Sequence, residues 1–194
     1  FGGSDTNRCF NESWEWDGAA WALRYVGAPS ARQEHAMAFD SARGKTVLFG
    51  GAAQNSAANA ETWEWDGTNW AERLVNGPSA RSFHEMAYDT ARGVTVLFGG
   101  FTGSGPVGDT WEWNGSDWTE RAVTGPSARL GHAMAFDSAR GVTVLCGGGG
   151  GTWEWDGATW TLRTTAGPTP TGDCAMVYDS IRQVSVLFSD GETW

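Results

Sequence analysis

Long apolar runs are missing from this sequence: no stretch approaches the ~20 residues that a membrane-spanning helix needs. Membrane insertion is therefore not expected. No charged-then-apolar leader opens the chain, and its start at Phe1 rather than Met is read as the edge of a processed or excised segment. Basic residues are scarce, with 13 Lys and Arg against 23 Asp and Glu and a net charge of −10. Most of the basic residues fall at repeated positions, so no free basic stripe is left for phosphates, and neither nucleic acid nor an anionic membrane surface is an expected partner. The three cysteines, Cys9, Cys146 and Cys174, show neither CxxC spacing nor a nearby His pair. A zinc site or redox motif is not expected, and at most one internal disulfide can form. Sustained 3.6-residue apolar periodicity is absent as well, which argues against helices.

Tryptophan, by contrast, is abundant: the chain has 13, all within copies of one motif, as in "SWEWDGAAW", "TWEWDGTNW", "TWEWNGSDW" and "TWEWDGATW". The copies belong to a longer repeat. "APSARQEHAMAFDSARGKTVLFGG" (28–51) returns as "GPSARSFHEMAYDTARGVTVLFGG" (77–100) and "GPSARLGHAMAFDSARGVTVLCGG" (125–148), with a weaker copy from Gly167. Successive histidines His35, His84 and His132 set a period of about 50 residues, close to that of a four-stranded propeller blade.

Within one unit, "HEMAYD" and "VTVLFGG" alternate side chains as strands do, and "DTARG" between them has the Asp and late Gly of a tight hairpin. "TWEW", the turn "DGTN" and "WAERL" form a second hairpin. The sequence thus reads as an all-β propeller of four-stranded antiparallel blades, about four blade equivalents in one domain spanning 1–194. The units are 28–76, 77–124 and 125–166, with 167–194 plus 1–27 as a shared or incomplete blade. These last pieces either close a four-bladed ring or belong to a longer propeller or a homo-oligomer.

The double glycine ending the second strand, the Asp and Trp of "WEWDGTNW", and the "R-x-x-H" before the first strand resemble kelch repeats. That resemblance covers the whole chain and implies a β-propeller; the "WEWDG" variant is similar to repeats of bacterial secreted and surface proteins, which implies a secreted or cell-surface location.

Because the tryptophans recur at fixed strand positions in every unit, they are expected to pack between blades and not to form a ligand platform. The repeated Glu15, Glu64, Glu112 and Glu154 are expected to pair with Arg24, Arg73, Arg121 and Arg163, one cluster per blade. Arg32, Arg81 and Arg129, with His35, His84 and His132, precede each first strand, the innermost of a propeller blade. Two readings stand: an anion or carboxylate site ringing the channel mouth, or ties from each loop to the neighbouring blade. The last unit carries Thr171 and Cys174 there instead, so any ring is broken. No metal site, cofactor or catalytic constellation is legible, and the copper set of galactose-oxidase-like propellers has no counterpart.

What varies between blades is the connection from second to third strand: 4–12, 52–60, 101–109 and a short "GGG" before Thr152. Variable loops on a repeated scaffold are where binding is expected, with Phe10 and Phe101 as apolar contacts. The functional expectation is a non-enzymatic module that binds a protein or glycan partner. A propeller enzyme with a glycan- or oxidase-type channel-mouth site and a structural extracellular assembly protein are the alternatives.

Overall fold

Asp, Gly and β-branched residues at fixed offsets build the same hairpin three times, and a fourth copy has Gln183 in place of the Gly. The computed structural model describes residues 1–24, 29–168, 170, 172, 174–189 and 191–194. All its regular elements are strands, and together they form a β-propeller array. Strands β1 (Ser13–Trp16) and β2 (Trp21–Arg24) form a lone antiparallel hairpin. The first full blade follows, in the order β3 (Ala36–Asp40), β4 (Lys45–Phe49), β5 (Thr62–Trp65), β6 (Trp70–Arg73). The second is β7 (Glu85–Asp89), β8 (Val94–Phe98), β11 (Thr110–Trp113) and β12 (Trp118–Arg121), with a small loop hairpin β9 (Phe101–Thr102) and β10 (Gly105–Pro106) between its halves. The third is β13 (His132–Asp137), β14 (Val142–Gly147), β15 (Thr152–Trp155) and β16 (Trp160–Thr164). A three-stranded sheet, β17 (Cys174–Asp179), β18 (Val184–Ser189) and β19 (Glu192–Thr193), ends the array.

The turn chemistry explains the hairpins. Asp89 Oδ1 accepts from the backbone N–H of Ala91 and Arg92 at 2.9 and 3.0 Å, and Gly93 adopts the left-handed φ of 70° that closes the turn. In the outer hairpin Asp66 Oδ1 accepts from Thr68 and Asn69 N–H, both at 2.8 Å, ahead of the Trp65 and Trp70 cross-strand pair. The double glycine has its own cause: Gly50 has φ 65°, and a Cβ there would stand 2.6 Å from the Arg81 carbonyl of the next blade. Only glycine lets the blades approach this closely.

Innermost strands β3, β7, β13 and β17 pack in succession, and the core lies in the seams between blades. The three seams from the lone hairpin to the third blade repeat the same contacts. Trp113 Nε1 donates to Glu64 Oε1 of the preceding blade at 3.1 Å, and Trp118 Nε1 donates to Thr62 Oγ1 at 2.9 Å. Trp155 to Glu112 (2.9 Å) and Trp160 to Thr110 (2.8 Å) repeat the pattern, as do Trp65 to Glu15 (3.0 Å) and Trp70 to Ser13 (2.9 Å). Phe49 meets both Trp118 and His84 edge-on, at 5.4 and 5.5 Å. Gly77 is bare of side chain because the Trp118 indole would lie 2.6 Å from a Cβ there.

The seam surfaces at the two ends of the array are open. Trp16 and Trp21 of β1 and β2 are 53% and 63% exposed, where Trp113 and Trp118 are 1% and 7%. At the other end, Val177 and Phe188 of β17 and β18 are exposed too.

Candidate functional site

The repeated charges are spent on architecture. Glu64 is fully buried and accepts from Arg43 Nη1 at 2.6 Å, Arg73 Nε at 2.8 Å and Trp113 Nε1. Burial alone would raise its pKa, but these hydrogen bonds outweigh it and hold the carboxyl below the usual range. The expected pairs of Glu15, Glu112 and Glu154 with Arg24, Arg121 and Arg163 are formed in the same way. Sequence reasoning missed the third partner: Arg43, Arg92 and Arg140 each bridge the turn aspartate of one hairpin to the buried glutamate of the other.

Arg32, Arg81 and Arg129 are all buried. Arg81 Nη1 donates to the Gly99 carbonyl at 2.9 Å and to Asp109 Oδ1 at 2.7 Å, while Nη2 donates to Asp109 Oδ2, also at 2.7 Å. Arg32 repeats this with the Gly50 carbonyl, Asn59 and Glu61. Their backbones face the other way: the carbonyls of Arg32, Arg81 and Arg129 accept from Gly3, Gly51 and Gly100 of the preceding blade, each at 2.9 Å. The side chain therefore ties its own blade's loop and the main chain ties the neighbour. Asp109 and Glu61 escaped the sequence reading because each stands nearly 30 residues from its arginine.

The histidines do converge. His35, His84 and His132 line a cavity of about 170 Å³ where the four inner strands begin, together with Cys174, Glu34 and Glu85. Burial pushes the His35 imidazole down to about 4 and those of His84 and His132 to about 3, with the nearby arginines adding to the effect. They are neutral at physiological pH, so the mouth carries no imidazolium charge to attract an anion. Among the described residues no group of His, Cys, Asp and Glu is arranged to hold a metal ion. Thr171, which stands where the other blades have arginine, lies outside the described residues.

A larger groove, of about 510 Å³, opens on the face carrying the variable connections. It runs between the 52–58 loop of the first blade and the β9 turn of the second, and Gln33, Glu34, Asn55, Ser82, Phe101 and Thr102 are among the residues that line it. Phe101 is 42% exposed, yet its backbone is fixed by two hydrogen bonds with Ser82, at 2.7 and 3.0 Å. Phe10 lies elsewhere, half-buried under the Arg8 guanidinium at 4.8 Å from its ring centroid. Of the two aromatic candidates, only Phe101 lines this groove. Amides, hydroxyls and the Glu34 carboxylate beside one apolar ring suit hydrogen-bonding and stacking with a ligand surface.

No protein-family model matches the chain, and no curated protein matches it.

Proposed function

We propose that this protein is a non-enzymatic binding module of the kelch type that takes a protein or glycan partner on its loop face and works outside the cell or at its surface. The observation that carries this reading is the groove between the 52–58 and 101–103 segments, because it is built largely from the parts of the repeat that vary, while the repeated glutamates are paired with arginines within their blades. A preorganised exposed aromatic among hydrogen-bonding side chains is the composition of an adaptable contact surface. The kelch assignment is supported by the double glycines and by the arginine and histidine at the start of three of the four first strands. The open seam surfaces at the two ends fit a further blade, from a longer propeller or from a second copy.

The test is capture on immobilised panels of glycans and peptides by the wild type, by Phe101→Ala, and by a variant with residues 53–57 replaced with Gly and Ser. Both variants are expected to lose capture at least about tenfold. Undiminished capture by both would refute the loop-face reading.

A further inference from the structure

One blade differs from its sisters in a way that leaves two donors without their usual acceptor. In the second blade Asp109, directly before β11, receives both Arg81 Nη groups and also the Trp111 indole Nε1, the last at 2.7 Å. In the first blade Glu61, directly before β5, receives Arg32 Nη2 and the Trp63 Nε1, the latter at 2.9 Å. Even the lone hairpin keeps this pair, Trp14 Nε1 donating to Glu12 at 3.0 Å. The third blade has glycine at the corresponding position, Gly151, directly before β15.

Arg129 is as deeply buried as its sisters, but among the described residues it has no carboxylate partner. Its Nη1 donates to the Gly147 carbonyl at 2.8 Å and only distantly to that of Gly150, at 3.5 Å; Nη2 reaches Ser127 Oγ at 3.3 Å, and Nε the Ser127 carbonyl at 3.0 Å. Burial, partly countered by Cys146, leaves the pKa of Arg129 lowered, whereas those of the carboxylate-bridged Arg43, Arg92 and Arg140 are raised. Trp153, the sister of Trp63 and Trp111, lies 3.5 Å through its Nε1 from where a side chain on Gly151 would begin. Gly149 and Gly150 above the guanidinium are exposed, so the site is roofed by backbone without side chains. The nearest obstruction at Gly151 is the end of the Leu162 side chain, which is itself 45% exposed.

We propose that the third blade holds a receptor for a ligand carboxylate, which takes the place of the missing Asp109 or Glu61 counterpart and accepts from Arg129 and from Trp153 Nε1. A planar carboxylate matches the guanidinium fork, as Asp109 does at Arg81, and an uncompensated buried cation strengthens such a pair. The rest of the ligand leaves over Gly149 and Gly150 on the face that carries the variable connections; the substituent is that of a small organic acid such as a uronic sugar. This rests on the loop-face reading only for its location, since the carboxylate site and the groove have no residue in common.

The test follows the Trp153 indole N–H signal by ¹H–¹⁵N NMR, assigned by its loss in Trp153→Phe, and the melting temperature, during titration with acetate and with glucuronate. Sodium chloride at matched ionic strength and glucose serve as controls. A saturable downfield shift of that signal with both carboxylates and not with glucose or chloride, together with a rise in melting temperature that Trp153→Phe reduces, is the expected result. Gly151→Asp supplies the acceptor internally and is expected to abolish the response, with a lower melting temperature because the backbone there has φ 75°. Equal shifts with chloride, no shift with either acid, or a full response in Gly151→Asp would overturn the proposal. None of these outcomes depends on Phe101, so failure here and failure of the groove are told apart.

Discussion

A buried imidazole is a pH-dependent component of the fold. For His35, His84 and His132 the folded-state pKa values lie below the ordinary 6.5, at about 4, 3 and 3. Between the two values the unfolded chain binds protons that the folded chain refuses, so their contribution is complete above pH 6.5 and is lost as the pH falls below it. Each histidine contributes a slope of up to about 1.4 kcal/mol per pH unit. Glu64 and Asp40, whose pKa values lie below 4.5 and 3.8, join only in stronger acid. Urea unfolding at about pH 7.5 and 5.5 is expected to show this loss, reduced by roughly one third in His84→Gln; an unchanged slope in the variant would contradict the assignment. These positions were legible in the sequence because they recur, and the argument from recurrence also placed the tryptophans and Glu64. The roles of Arg43 and Asp109 were not legible: "DSARG" reads as a turn on its own, and the direction in which a turn arginine reaches across to a glutamate about 20 residues later is set by the sheet.

Among elements, the four inner hairpins were readable from alternation and turn residues, and one of them departs from its sisters. Gly44, Gly93 and Gly141 take φ of 65°, 70° and 68°, but in the hairpin of β17 and β18 the same place is held by Gln183 at φ 56°. A side chain in this left-handed conformation costs about 1–2 kcal/mol. Gln183→Gly is therefore expected to stabilise the protein by about 1 kcal/mol in denaturant titration with little change in slope, since glycine also makes the unfolded chain more flexible. No gain would mean that the strain is relieved by neighbours. The groove between the 52–58 loop and β9 was legible only as two variable stretches; that they face one another follows from blade rotation, which no local pattern encodes.

At the scale of the molecule, what repeats holds the blades together and what varies lies outside the seams. Three seams share one set of indole hydrogen bonds and edge-on aromatic contacts, so removing one seam tryptophan removes both packing and a cross-blade bond. The variable connections contribute no comparable apolar burial, and Phe101 stays 42% exposed. Scanning calorimetry of Trp118→Ala beside the variant with residues 53–57 replaced by Gly and Ser measures this division most directly. Loss of the indole and the cavity it leaves costs about 3–5 kcal/mol, roughly 6–20 °C in melting temperature for a chain of this size, whereas the loop replacement is expected to stay within about 2 °C of the wild type. A loop replacement as damaging as Trp118→Ala would contradict the account, because the variable loops would then be part of what holds the array together.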